Sequence, residues 1–400
     1  MDAPHPLGIQ FPLGVGIWGL GWDPAPHPRN SHPLQAVLIL GIAAGAVPFP
    51  RDAAGRALRR HPKGSRAGKG PDPEPAMPSP TARLLRAHQV PESYREPGIL
   101  SGYRPPRSSA CECLLSLFAM NNETLNIWTH LVPAGYFLWL LQARLRDWGS
   151  PGGGAGAGPF LAYLGTCALY PLASSAAHAL GALGGRGRHR AFCCDYAALS
   201  LYGLGSALAY SAYVFPLEWV GSTFHNFYVP VAVLNSVLST GLSCYSRFLE
   251  AERPSLSKAF RTLAFVYPYI FDSIPVFYRL SRSAAGSCSE GSLPLHSRHS
   301  LCALLTFLSF TSRLPERLAP GSFDFIGHSH QVFHICGILG TLFQLEAVSV
   351  DMAERRGRLP LPSSLETFGS LGMGAAASLA ILGVCFRSLC PEPPSREKSH

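Results

Sequence analysis

Three histidines stand at the mouth of a long apolar run in Gly327-His328-Ser329-His330-Gln331-Val332-Phe333-His334. His330 and His334 are four residues apart, so a helix places both imidazoles on one face, which is a metal-ligand spacing. Taken alone, the pair also reads as two interfacial histidines at a helix entry with no metal. Further polar groups interrupt apolar sequence elsewhere. Ser174-Ser175-Ala176-Ala177-His178 closes one apolar segment, with Ser174 on the helical face of His178, and Asp195-Tyr196 opens the next. Ionisable residues at membrane depth are costly, so each is a site candidate. Neutral imidazoles suit zinc, and a catalytic zinc keeps one position for water. Asp195 would orient or deprotonate that water rather than bind the metal. The competing reading is a hydrogen-bonded polar cluster that ties three helices together without metal. His328 falls at a different angle and belongs to the loop.

Composition says what kind of frame must hold these residues. Of 400 residues, 47% are hydrophobic and only 14% charged, which is low in charge for a soluble protein and points to a membrane. The formal charge of +9 raises the question of nucleic acid. The basic residues lie between apolar runs instead of clustering with exposed aromatics, so no nucleic-acid partner is expected and they read as loop charges under the positive-inside bias. The 11 cysteines are scattered, and the close pairs Cys111/Cys113 and Cys193/Cys194 lack zinc-finger partners. Buried free thiols are expected rather than a disulfide framework.

Residues 1–82 are rich in Pro, Gly, Ala and Arg without a sustained period and are expected to be a disordered extension. Its apolar island, Leu34 to Phe49, is shorter than the ~20 residues of a spanning helix. Met1-Asp2-Ala3-Pro4 lacks a basic n-region, which argues against a cleaved signal peptide. The basic run from Arg51 to Lys69 is either a solvated linker or a contact with anionic lipid. Tyr103-Arg104-Pro105-Pro106 marks a turn before an amphipathic helix expected over Ala110 to Met120.

Beyond it lie apolar segments at 127–143, 159–183, 192–214, 226–246, 260–278, 300–314, 330–350 and 367–385, the sixth being the shortest. The expected architecture is an all-α membrane protein: a seven-transmembrane helix bundle over residues 83–350, then an eighth transmembrane helix and a tail over 351–400. Parity places the end of segment two, the start of three and the start of seven on one membrane face, so His178, Asp195, His330 and His334 can meet. The basic flanks around Arg83–Arg107, Arg186–Arg190, Arg247–Arg261 and Arg313–Arg317 outweigh those on the other side, which predicts a cytoplasmic amino terminus.

Other polar residues read more plainly. In Asn121-Asn122-Glu123-Thr124-Leu125-Asn126-Ile127-Trp128-Thr129-His130, Thr124 or Asn126 is expected to cap helix one and Glu123 to complement its dipole. Asn122-Glu123-Thr124 is formally a glycosylation sequon, expected to be unmodified so close to the membrane. Asp272 in helix five and Glu346 in helix seven are intramembrane acids that either contact a polar ligand atom or accept an interhelical hydrogen bond. Glu316 is expected to pair with a neighbouring arginine.

The motif from Asn122 to His130, Ser174 to His178, Asp195-Tyr196, and Pro320-Gly321-Ser322-Phe323-Asp324 running into His328 to His334 together resemble the progestin and adipoQ receptor family, over about residues 90 to 350. Leu242 to Glu250 and Leu314 to Pro320 are similar to its membrane progestin receptor subgroup, of gamma and delta type. The resemblance implies a seven-helix core with a cytoplasmic amino terminus, opposite to G-protein-coupled receptors. It also implies Zn2+ near the cytoplasmic face, held by His178, His330 and His334 with Asp195 and Ser174 beside the water, and an eighth helix. Ala197 departs from the glycine usual in the family and is expected to crowd helix three slightly.

The function implied is a multi-pass plasma-membrane receptor for a progestin-like steroid, signalling non-genomically through a G protein or another partner, with Asp272 and Glu346 as ligand contacts. The alternatives are a zinc-dependent intramembrane lipid amidohydrolase, ceramidase-like, and a metal-free membrane scaffold.

Overall fold

A computed structural model describes residues 83–148, 156–285, 291–355 and 361–389. The disordered extension expected over residues 1–82, with its apolar island and basic run, and the tail after 389 lie outside the described residues. Apart from one isolated bridge between Leu85 and Tyr103, the regular structure of the described residues is helical. It comprises α1 Ala110–Leu115, α2 Thr124–Trp148, α3 Gly158–Ala179, α4 Gly185–Ala209, α5 Thr223–Leu249, α6 Pro254–Asp272, α7 Ile274–Ala284, α8 Leu293–Ser312, α9 Ser329–Glu354 and α10 Ser364–Ser388. A wide π turn, Tyr210–Val214, extends α4.

Local sequence explains most of the boundaries. Ser222 accepts from the His225 N–H ahead of α5, and Ser363 forms a capping box with Glu366 ahead of α10. Pro159, Pro254 and Pro294 sit in the first turns of α3, α6 and α8, where the missing N–H costs nothing. Pro133, Pro171 and Pro230 lie inside helices, which neighbouring helices permit in a membrane bundle.

Three expectations are corrected. The amphipathic helix expected to reach Met120 ends at Leu115 and passes into a 3₁₀ turn at Ser116–Phe118, because Ser116 turns its hydroxyl back to the Cys113 carbonyl. Segment five is not continuous. It breaks after Asp272, since Pro275 in the first turn of α7 cannot continue the hydrogen-bond ladder of α6. The cap of α2 is Asn121, whose Oδ1 accepts from the Glu123 N–H at 2.9 Å, while Thr124 Oγ1 accepts from the Asn121 N–H at 2.8 Å.

Consecutive helices from α2 to α6 pack as neighbours, α8 lies along α9, and α9 returns against α2 to close the bundle. The core is built on Phe137, Tyr163, Leu164, Tyr210, Phe215 and Tyr228, all fully buried. Close approach of α3 and α4 depends on Gly205, where an added Cβ would sit 2.2 Å from Thr166 Oγ1. Helix α10 docks outside on α4 and α5; a Cβ at Gly374 would come within 2.5 Å of Leu204, and Thr240 and Ser378 share a hydrogen bond at 3.1 Å. Ala197 is buried in this seam beside Cys244 and Leu382.

Helices α3, α4 with its π turn, α5, α9 and α10 are long and apolar enough to cross a membrane. The outer faces expose Trp139, Phe227, Leu234, Leu238, Leu379 and Val384. An apolar belt of this kind faces lipid, and the protein is a multi-pass membrane protein.

The two ends of the bundle are fastened differently. At the end where α9 begins, the segment before α1 folds across the helices. Asp324 accepts from the Leu100 N–H at 2.8 Å and from Ser101 Oγ at 2.6 Å, and Arg104 donates to the carbonyls of His178 at 2.6 Å and Ala179 at 2.7 Å. Among the described residues Glu316 pairs with no arginine. Its carboxylate accepts from the Ser329 N–H at 2.7 Å and from the Ser329 hydroxyl, so it caps α9 from outside the helix.

At the opposite end, Asp351 of α9 is fully buried and takes a bidentate pair from Arg279 of α7 at 2.7 and 2.9 Å. It also contacts His296 of α8 at 2.8 Å and accepts from Ser292 at 2.7 Å. Arg279 had read as a loop charge, whereas its guanidinium is buried and joins three helices.

Candidate functional site

The i, i+4 pair on α9 and the last turn of α3 converge at the end covered by the segment before α1. One ligand atom from each of His178, His330 and His334 lies within 4.8 Å of the other two, the only such group among the described residues. His178 Nδ1 lies 2.8 Å from Glu123 Oε2, and His178 Nε2 lies 3.0 Å from His330 Nε2. His334 Nδ1 lies 3.0 Å from the Asn126 carbonyl and 3.2 Å from Thr129 Oγ1.

These contacts select the tautomers. An Nδ1–H that donates to Glu123 or to the Asn126 carbonyl leaves Nε2 with its lone pair directed at the cluster. Two imidazole nitrogens on a tetrahedral zinc are separated by about 3.3 Å, close to what His178 and His330 show, so the donor set fits that metal.

Aromatic neighbours hold each ring. Phe192 packs edge-on against His178 at 5.7 Å, Phe333 stacks on His330 at 5.5 Å, and His130 stacks on His334 at 3.7 Å. Burial raises the Glu123 carboxyl, but its pairing with His178, with Arg104 and Asn126, more than reverses this and holds it well below the usual range. A carboxylate–histidine pair of this kind orients a metal ligand. Glu123→Gln is therefore expected to weaken zinc binding about 10- to 100-fold without abolishing it, measured by chelator competition. An unchanged affinity would assign Glu123 to helix packing alone.

A cavity of about 730 Å³ leads from the three histidines into the bundle. Ser174 and Asp195 line it beside the cluster. At the far end Asp272 closes α6, buried, with Oδ1 lacking any partner among the described residues and its backbone carbonyl held by Tyr228 OH at 2.6 Å. Between the ends stands Gln344, whose Oε1 accepts from Tyr202 OH at 2.5 Å and Tyr163 OH at 3.0 Å, and whose Nε2 donates to Tyr210 OH at 2.8 Å. Thr341 bonds Tyr170 at 2.9 Å and Tyr202 at 3.1 Å.

The structure brings six of the seven predicted site residues to this cavity: His178, His330, His334, Ser174, Asp195 and Asp272. Glu346 is not among them. It lies two residues beyond Gln344, about 200° round the helix, so its side chain leaves the cavity face and stands near Tyr136.

The sequence reading missed Glu123, Asn126 and His130, which follow one another at i, i+3 and i+7 and so share a face of α2. It also missed the continuation of the histidine face: His330, His334, Gly337, Thr341 and Gln344, at steps of four and three, all line the cavity. Asp351 stands seven residues further along the same stripe.

The haemolysin-III-related family model matches residues 118–345. The chain is 53% identical over 312 residues to membrane progestin receptor delta of Mus musculus, covering 76% of this chain and 88% of that protein. To membrane progestin receptor gamma-B of Danio rerio it is 48% identical over 330 residues, 77% of this chain and 93% of that one. To membrane progestin receptor alpha of Cynoscion nebulosus the identity is 32% over 308 residues, 75% and 84% respectively.

Proposed function

This chain belongs to the haemolysin-III-related family, within the progestin and adipoQ receptors to the membrane progestin receptor subgroup of gamma and delta type, and we propose that it is a plasma-membrane receptor for a progestin-like steroid. The observation that carries this reading is the cavity of about 730 Å³, within the range that encloses a small apolar ligand, whose inner end presents a buried carboxyl oxygen without a partner. The progestin in the names of its relatives supports the ligand class. The amino terminus is cytoplasmic, on the basic side of the bundle, and the histidine cluster faces the same compartment, where a G protein or another signalling partner would meet it.

Saturable binding of a labelled progestin to the purified protein, above a matched detergent blank, is the test. Asp272→Ala is expected to weaken that binding roughly tenfold, the loss of one ligand hydrogen bond in a desolvated site. No saturable binding by the unmodified protein would sink the receptor reading.

His178, His330 and His334 are the residues that would hold Zn2+, which when bound supplies a Lewis acid and an activated water. The chain's own groups do the rest. Glu123 fixes the ring of His178, the Asn126 carbonyl fixes that of His334, and Asp195 Oδ1 and Oδ2 offer a proton acceptor on the cavity wall beside Ser174. This acceptor next to a three-histidine set favours a second reading, a ceramidase-like lipid amidohydrolase, compatible with the first. Lipid amide turnover by the purified protein that disappears in Asp195→Asn, while steroid binding persists, would support it; absence of turnover by the unmodified protein would discard it.

A further inference from the structure

At the mouth of the cavity, beside the histidines, Arg188, Arg247 and Arg261 meet one ion-paired carboxylate among the described residues, that of Glu250, although Glu96 lines the same cavity. Arg247 of α5 is only 6% exposed, yet among the described residues its Nε has no partner and its one ion pair is with Glu250 at 2.6 Å. Arg261 of α6 reaches the same carboxylate at 3.5 Å, and Glu250 is itself 42% exposed. Arg188 of α4 lies over the rings of Tyr94 at 4.6 Å and Phe192 at 5.4 Å, and its buried Nε is also without a partner. Arg247 covers Phe192 at 4.9 Å, the ring that packs on His178. All three arginines line the cavity.

A buried guanidinium is costly unless its donors are met, and its planar fork matches sulfate and carboxylate. Arg261 also donates to the neutral hydroxyls of Ser246 at 3.3 Å and Ser257 at 3.4 Å, but the two arginines divide one half-solvated carboxylate between them, so charge and the buried Arg247 Nε remain for a second anion. Along α6, Arg261 and Asp272 are eleven residues apart, which spans about 16 Å. That is on the scale of a four-ring steroid with a polar group at each end.

We propose that the cavity takes an amphiphile with an anionic head, a steroid sulfate or carboxylate being the class that fits, its head on Arg247 and Arg261 and its far hydroxyl or carbonyl at Asp272. This rests on the steroid reading for the body of the ligand and adds the anion site. The head lies beside the histidine cluster, with Phe192 between them. Glu250 competes with the head for both guanidiniums, which makes it a negative determinant of affinity.

The test uses the full chain in neutral lipid nanodiscs and three competitors against a labelled neutral progestin: a 3-hydroxysteroid, its 3-sulfate, and hexadecyl sulfate. The sulfate is expected to bind roughly tenfold tighter than its parent, the scale of a charge-assisted hydrogen bond. Arg247→Gln and Arg261→Gln should each erase that margin while leaving the parent steroid's affinity in place. Glu250→Gln should widen it, a gain that misfolding cannot imitate, so it decides the matter if the arginine variants bind nothing. The anion site is overturned if parent and sulfate bind alike, or if the margin survives both arginine substitutions. Binding of hexadecyl sulfate alone, with the same arginine dependence, would uphold the anion site and discard the steroid body. Binding of none of the three would overturn both.

Discussion

His334→Ala protein is expected to carry almost no zinc, against about one equivalent in the unmodified chain, when both are purified without chelator and measured by elemental analysis. Removing one of three imidazoles leaves two protein ligands, and a site of this kind holds its metal only when the ligands arrive together in the folded bundle. His330→Ala should behave in the same way. His130→Phe is the contrasting variant. It keeps an aromatic ring stacked on His334, where His130 lies at 3.7 Å, and it should leave the zinc content unchanged. If the unmodified chain contains no stoichiometric zinc, the cluster is a hydrogen-bonded knot and the metal-free scaffold reading takes over. If zinc stays in His334→Ala at full occupancy, the ligand set is wrong.

The second large effect is at the other end of the molecule. Asp351→Ala is expected to lower stability by about 3–5 kcal/mol, because it removes the fully buried carboxylate that takes both arms of the buried Arg279 guanidinium. Arg279 at 2.7 Å, His296 at 2.8 Å and Ser292 at 2.7 Å all converge on that carboxylate, so a single change opens α7, α8 and α9 at once. Exchanging the ion pair for apolar residues of similar size, Arg279→Met with Asp351→Leu, should recover most of the loss, since a buried pair is worth little beyond its own desolvation. Unfolding curves in detergent measure both variants. A change below about 1 kcal/mol in Asp351→Ala would show that water reaches Arg279 in the folded state.

The sequence made the frame legible because hydrocarbon imposes a single requirement on a spanning segment, that its backbone satisfy itself. The family resemblance is borne out by the relatives, and the helical architecture by the fold. Parity brought the three histidines to one face without any side-chain geometry. What escaped depended on angle around a helix rather than position along it. Glu123, one residue ahead of α2, passed for a dipole charge, although its i+3 and i+7 neighbours Asn126 and His130 are polar as well. Glu346 was chosen as an acid inside an apolar run, while Gln344, uncharged and two residues away, is the one on the cavity face. Arg279 was counted with the loops because hydropathy cannot see Asp351 waiting 72 residues later. The break after Asp272 is legible in Pro275, which sits about one turn before the end of the apolar segment 260–278.

The polar stripe of α9 bears on how the protein is assembled. From His330 through Thr341 and Gln344 to Asp351, one side of this helix presents groups that hydrocarbon cannot satisfy, and each finds its partner on α2, α3, α4, α7 or α8. In a bilayer without those neighbours the same stripe would face lipid tails at a cost at every level. Helix α9 also follows all of them in the chain, so the cradle is synthesised before the helix that fills it. Biogenesis therefore favours lateral transfer of α9 directly into the waiting bundle, with the lipid-facing α10 sealing against α4 and α5 only afterwards.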